Sequence, residues 1–297
     1  MRQNLTIIVL TYNSAHIVEK CLQKINFKKY QVIVVDNASC DNGVELVKKK
    51  FSQIKIIKLK KNVGYGNGNN VALKRVKTEF ALVLNPDAMI LENDIETILD
   101  AMKKNEEVAI AGPLILKNCP ASKKEIDEWR QRIENDATTI KNCYIKKIPD
   151  GFDSHFISGS CIFLRMSVFQ KLGFFDKEIF MFYEDNELCR RSKVNGYKNL
   201  IALDAHAFHI EASSSKKCLK TTFKRNWHLG WSKLYWKKIC KNKFMAKKSA
   251  FRLAILYFLK AIISLFSGNA EKVSQNLGIS CGSFSFFFGL NSFKGER

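Results

Sequence analysis

At 297 residues, 46% hydrophobic and 26% charged, the chain is long enough for one large domain or two smaller ones around a buried core. Its 15 glycines and 4 prolines exclude collagen-like and Pro-rich chains, and its apolar fraction excludes general disorder. A net charge of +21 points to a negatively charged partner: nucleic acid, anionic lipid or a phosphorylated substrate.

The charge is uneven. Residues 212–297 hold 17 Lys/Arg against 2 Asp/Glu, a net of +15, while the first 211 carry only +6. The expected organisation is therefore a domain over 1–211 and a basic helical region over 212–297. Nine cysteines, odd in number and never spaced C-x-x-C, fit neither a disulfide framework nor a zinc site and read as free thiols of a reducing compartment. The opening MRQNLTIIVLTYNSAH has too short an apolar run for a signal peptide.

In chain order, LTIIVL (5–10), YQVIVVD (30–36), IKIIKL (54–59) and FALVLN (80–85) read as buried strands, rich in Val and Ile as a sheet covered on both faces requires. Helical stretches lie between them: Ser14 to Ile25 after an Asn-Ser cap, Asp41 to Lys50, and Asn69 to Val76. Strand–helix alternation predicts an open parallel α/β sheet over roughly the first 110 residues. Ligands bind such sheets at the carboxyl ends of the strands. The residues there are Thr11-Tyr12-Asn13, Asp36-Asn37-Ala38-Ser39, the Gly-rich run Asn62 to Asn70, and Asn85-Pro86-Asp87.

The Gly-rich run follows the third strand, not the first, and has no Lys, so it is neither a dinucleotide fingerprint nor a P-loop. It is a helix entry where glycine permits a close backbone approach. Asp87, after a fixed-φ proline, either closes a Pro-Asp turn or holds a divalent cation that in turn holds a diphosphate. Ser158-Gly159-Ser160 leads into a further strand. Behind the aromatic run Phe180 to Tyr183 stand Glu184, Asp185 and Glu187. On a helix Glu184 and Glu187 share a face and Asp185 points elsewhere. These acids serve either a helix N-terminus or, beside aromatic walls, as a general base. His206 and His209 form an H-x-x-H, a structural pair or a metal pair.

Assembled, these motifs resemble the family 2 glycosyltransferases, closest to the rhamnosyltransferase-like branch that builds bacterial cell-surface polysaccharides such as O-antigen. The matching pieces run in order over about 1–235: Val9 to Asn13, Val34 to Ser39, Asn62 to Gly66, Leu84 to Asp87, Ser158 to Ser160, Phe182 to Cys189, His209 and Arg225-Asn226. The resemblance implies a GT-A fold, α/β with a mainly parallel central sheet, and inverting transfer from a nucleotide-diphosphate sugar, dTDP-rhamnose first among donors. It implies that Asp36 binds the pyrimidine and that Thr11, Tyr12, Asn13, Asn37, Asn62, Gly64, Tyr65, Gly66, Asn85, Ser158 and Gly159 line the donor pocket. It assigns Mg2+ or Mn2+ to Asp87 and His209. Asp185 is the implied catalytic base, with Glu184 the alternative. The family's metal motif has two carboxylates; here it is Asn-Pro-Asp. Implied acceptors are polyprenyl-diphosphate-linked or oligosaccharide. A catalytically silent assembly partner is the alternative. A nucleic-acid binder is disfavoured, because acids at the strand ends would repel phosphate.

From Lys216 the pattern is helical, with Leu219, Phe223, Trp227 and Trp231 recurring every four residues among lysines. Trp among Lys is the composition of an interfacial helix. Phe251 to Phe266 is apolar but interrupted by Arg252 and Lys260, and shorter than the roughly 20 residues of a spanning helix. The expectation is a cytoplasmic enzyme held peripherally on the anionic inner face of the membrane, with ordinary core helices as the alternative. The run after Asn276, SCGSFSFFFGL, docks either on the membrane or on the helices.

Overall fold

The computed structural model describes residues 4–116, 145–209 and 218–293. The chain divides into two compact units: Met1–Asn62, Gly68–Phe175 and Leu188–Ser215 form the first, and Val63–Asn67, Asp176–Glu187 and Lys216–Arg297 the second. The expected boundary at 211/212 lies outside the described residues.

The first unit is built on a mixed ten-stranded sheet. Strands β1 (Leu5–Thr11), β2 (Gln31–Asp36), β3 (Lys55–Lys58) and β4 (Phe80–Leu84) pair in parallel in the order β3-β2-β1-β4. The chain thus moves outward from β1 to β3 and returns to β4 on the other side of β1. That reversal opens a crevice at the carboxyl ends of β1 and β4. All seven residues of β1 are buried, as a strand covered on both faces must be. On one face Ile7, Val9, Val32, Val34, Phe80, Leu82 and Leu84 pack against helices α1 (Ala15–Gln23), α2 (Gly43–Lys50) and α4 (Glu92–Lys104). β3 departs from the expected buried strand. Its pattern, exposed at both lysines and half-buried between them, is that of an edge strand whose lysines discourage further pairing.

Beyond β4 the sheet is not parallel. β9 (Cys161–Arg165) inserts antiparallel between β4 and β6 (Val108–Leu116). β10 (Lys198–His209) then pairs in parallel with β6 and antiparallel with β5 (Ala88–Ile90) and β8 (Gly151–Ser154), and β7 (Ile145–Ile148) pairs with β8. Arg165, 7% exposed, closes this region by donating to the carbonyls of Val108, Met102 and Asn105. Helix α5 (Met166–Leu172) follows β9. None of the seven cysteines among the described residues is in a disulfide.

Two local expectations change. The Asn-Ser cap of α1 does not form: Ser14 donates to the Tyr12 carbonyl, and Asp41, from the loop before α2, accepts from Ala15 and Gly43 at 2.8 and 3.2 Å. One carboxylate thus serves two helix N-termini. The Gly-rich run is not mainly loop, since α3 begins within it at Tyr65 and extends to Leu73. Its glycines let backbone meet protein. A Cβ on Gly68 would stand 2.6 Å from Leu10 Cδ1, and one on Gly64 2.1 Å from the Phe180 carbonyl oxygen.

The second unit gathers three long helices, α7 (Leu219–Cys240), α8 (Lys243–Phe266) and α9 (Ala270–Phe287). Trp227, Trp231 and Leu234 are buried with Ala246, Ala250 and Phe286. The Trp231 indole donates to the Leu290 carbonyl at 2.8 Å. These tryptophans are therefore core residues and not an interfacial belt, because α9 covers the face that the sequence leaves open. The run after Asn276 is helical and docks on the helices: Gly278 and Gly282 meet the backbone of Phe223 and Trp227.

Candidate functional site

In the first unit the polar residues that the sequence places after β1, β2 and β4 gather at the carboxyl ends of those strands, at the switch point of the sheet. Asp36 and Asn37 end β2 at 5% and 3% exposure. The Asn37 N–H donates to the Thr11 carbonyl, and its side-chain amide to Asn62 Oδ1 at 2.9 Å. Asp36 Oδ1 accepts from Ser39 N–H at 3.0 Å. Asn13 interlocks the two loops, its N–H donating to Ser39 Oγ and its Oδ1 accepting from Cys40. Tyr12 is 42% exposed. Asn13 and Ala38 stand at φ of 53° and 64°, a conformation that Asn tolerates and that is strained for Ala.

Asn85-Pro86-Asp87 is a turn, with Ala88 N–H donating to the Asn85 carbonyl at 3.0 Å. β5 starts at Ala88, and in its antiparallel register Ala88 faces His209, the last residue of β10. That pairing brings together side chains 122 positions apart: His209 Nε2 lies 3.2 Å from Asp87 Oδ1, the two side chains 18% and 5% exposed. His206 does not join them. It lies three positions earlier on the same strand, hence on the opposite face, and its Nδ1 stands 3.6 Å from Asp94 on α4. Ser158 and Ser160 hydroxyls meet at 2.9 Å, and the Ser160 carbonyl accepts from Asn85 N–H. This holds the Ser-Gly-Ser run against the Asp87 turn.

The Asp87–His209 separation fits a shared cation, since cis ligands about 2.1 Å from an octahedral ion lie about 3 Å apart. Among the described residues no three His, Cys, Asp or Glu side chains cluster to hold a metal. The described residues thus offer two donors here, and phosphate oxygens and water would complete the shell of a bound cation, as is usual for Mg2+-type ions in phosphate sites.

In the second unit, Tyr65 N–H donates to the Phe180 carbonyl at 2.9 Å and Gly64 stands against the same peptide. The Phe180 ring stacks on His228 at 4.4 Å between centroids. Phe182 and Tyr183, at φ of 70° and 68°, turn the chain sharply into helix α6 (Glu184–Val194). Arg225 lies 5.9 Å over the Phe182 ring, while Asn226 bonds back to Thr222 within its own helix. Glu184 and Glu187 are each 8% exposed and Asp185 is half-buried, the facing that the helical spacing predicts. Burial, reinforced by the Asp185 carboxylate, pushes the Glu184 carboxyl from its ordinary 4.5 up to about 8. Its Oε2 has no hydrogen-bond partner among the described residues. Asp185 Oδ1 accepts from Asn186 N–H at 2.9 Å.

Sequence reasoning missed Asp41 as a double cap, the Phe180–His228 stack and the left-handed residues. Four of the five left-handed non-glycine residues among those described, Asn13, Ala38, Phe182 and Tyr183, fall in these loops. Of the four only Asn13 carries a residue type that favours the conformation.

The family model for glycosyl transferase family 2 matches residues 6–173, more than half the chain. The chain belongs to the family 2 glycosyltransferases. It is accordingly a sugar-transferring enzyme. A curated relative is the N-acetylglucosaminyl-diphospho-decaprenol L-rhamnosyltransferase of Mycobacterium tuberculosis, 22% identical over 72% of this chain and 78% of the relative. Another is the rhamnosyltransferase WbbL of Escherichia coli K12, 23% identical over 75% of this chain and 89% of the relative. Among solved structures, the mannosyltransferase PcManGT from Pyrobaculum calidifontis, in complex with GDP-Man and Mn2+, superposes with a TM-score of 0.60 at 15% identity, covering 96% of this glycosyltransferase and 87% of that chain. TarS residues 1–349 of S. aureus superpose at 0.55 and 15% identity over 96% and 92%. These likenesses establish the GT-A-like fold.

Proposed function

We propose that this glycosyltransferase moves L-rhamnose from dTDP-rhamnose, with inversion, to a lipid-linked or saccharide acceptor of a cell-surface polysaccharide. The donor and acceptor classes rest on the two rhamnosyltransferase relatives. The observation that carries the reading is the part-buried Asp87–His209 pair beside the crevice, because an anionic diphosphate needs a cation there to sit against a carboxylate.

Asp87 and His209 would hold Mg2+ or Mn2+, which when bound offsets the charge of the departing diphosphate. Asp36 accepts from the N–H of the pyrimidine, with Asn37 and Asn62 held beside it by their mutual hydrogen bond. Thr11, Tyr12, Asn13, Asn85, Ser158 and Gly159 line the donor pocket, and Gly64, Tyr65 and Gly66 contribute to sugar binding. Asp185 takes the proton of the acceptor hydroxyl as that oxygen attacks the anomeric carbon in line with the leaving diphosphate. Asp185 is preferred over Glu184 because it is more exposed, whereas Glu184 at about 8 keeps its proton at neutral pH. No covalent sugar–enzyme bond is needed, so no nucleophilic Ser or Cys is assigned.

The test is donor binding and hydrolysis by the purified chain with dTDP-rhamnose, UDP-glucose, UDP-galactose, UDP-GlcNAc and GDP-mannose, with and without Mn2+. Metal-dependent binding of dTDP-rhamnose, lost in Asp87→Ala, and transfer lost in Asp185→Asn with binding retained, are the expected results. Selective binding of another donor would replace the sugar assignment. No binding of any donor with any metal would favour a silent assembly partner, consistent with Asn85 in place of a carboxylate.

A further inference from the structure

Helix α8 turns its small side chains inward and its large apolar ones outward, the reverse of a helix in a water-soluble core. Ala246, Ala250, Ala254 and Ala261 are at most 1% exposed, whereas Phe251, Ile255, Leu259, Ile262, Ile263 and Phe266 are 36–89% exposed. The helix runs 24 residues, 22% buried over its most apolar window, where mean hydropathy is 1.7. It is thus longer than the Phe251–Phe266 run implies, and by length and composition it could cross a membrane. The neighbouring contacts are also made by small residues. A Cβ on Gly282 would stand 2.1 Å from the Trp227 carbonyl oxygen and one on Gly230 2.7 Å from that of Ile279, while Ser280 donates to the Ala254 carbonyl at 2.8 Å. Backbone-to-backbone packing through Gly, Ala and Ser is how helices associate where lipid, not water, surrounds them.

Charge identifies the occupant of the outer face. Residues 218–293 hold 13 Lys/Arg and one acid, Glu271. Lys238, Lys243 and Lys247, set against the single carboxylate of Glu178, line a cavity of about 170 Å3 with Trp231 and Tyr235 at the α7–α8 corner. A second copy of the chain would press one lysine-rich helix set against another, whereas an anionic surface neutralises both. A spanning α8 is disfavoured because it would draw its own Arg252 and Lys260, and Gln275 and Asn276 of the returning α9, toward hydrocarbon.

We propose that α8 lies in the plane of an anionic bilayer, its outer face among the acyl chains at the headgroup boundary and the three-lysine cavity against a lipid phosphate. The surface is α8, and not Trp227 and Trp231 of α7, which are core. This inference goes beyond the donor chemistry and is tested without any donor.

The experiment is sedimentation of the full chain with phosphatidylcholine vesicles, with and without phosphatidylglycerol, at low and high salt. Binding is expected to the anionic vesicles, weakened by salt and weaker on phosphatidylcholine alone. Ile255→Glu with Leu259→Glu should lower it by about tenfold or more with unchanged circular dichroism, since both positions face outward. Lys243→Gln with Lys247→Gln should lower it about 30-fold on anionic vesicles only. Absence of binding to anionic vesicles, or binding indifferent to the glutamate pair, overturns the proposal. So does a solution dimer that the glutamate pair dissociates, which would give the face to a second copy.

Discussion

Replacing Glu184 with Gln removes a pH-dependent cost from the folded state. Glu184 is 8% exposed, its Oε2 lacks a partner among the described residues, and burial with the nearby Asp185 charge raises its carboxyl from 4.5 to about 8. The unfolded chain releases this proton above about 4.5, while the folded chain keeps it until about 8. Between those values the folded state binds more protons, so stability falls as pH rises, by about 1.4 kcal/mol per pH unit for the one group. From pH 5 to pH 7.5 the full effect is about 3.4 kcal/mol, and relaxation around the group leaves about 2–3 kcal/mol. Gln has nearly the same size and no proton to release. Guanidinium melts of both proteins, followed by tryptophan fluorescence from pH 5 to 9, give the comparison. Three of the four tryptophans (Trp227, Trp231 and Trp236) stand on α7 in the same unit as Glu184. The stability of the Gln variant relative to the native chain should grow by about 2–3 kcal/mol up to pH 7.5 and level off above pH 8. Parallel profiles would refute the reasoning, for they would mean that Glu184 ionises freely in the folded state.

Gly64→Ala should destabilise by more than about 1 kcal/mol in a thermal melt, because φ is +84° and the new methyl would meet the Phe180 carbonyl oxygen at 2.1 Å. Asp41→Ala should cost about 1–2 kcal/mol, since two helix N-termini lose one acceptor, and Asp41→Asn should restore most of it. Trp231→Ala should cost about 3–5 kcal/mol in guanidinium melts, while Trp231→Phe, which loses mainly the hydrogen bond to Leu290, should cost about 1–2 kcal/mol.

Much of the donor-side architecture is legible in the sequence because it is local. The apolar runs at 5–10, 30–36 and 80–85 need both faces covered, and helical spacing between them leaves parallel pairing as the simple solution. Polar residues placed directly after such strands must then arrive at one sheet edge, so Thr11, Asp36, Asn85 and Asp87 could be picked out before any coordinates. The facing of Glu184 and Glu187 away from Asp185 follows from helical period alone.

What only the tertiary structure decides depends on partners far away in the chain. No short-range pattern could say that β9 enters antiparallel between β4 and β6, or that β5 pairs with the end of β10 and so sets His209, but not His206, beside Asp87. Ser14 looks like the cap of α1, yet Asp41 does that work from another loop. The Trp-and-Lys composition of α7 is that of an interfacial helix, but Trp227 and Trp231 are buried in the helical core, and the apolar surface left exposed belongs to α8. Periodicity tells which residues share a face of an element; which face is covered is fixed by whichever element arrives to bury it.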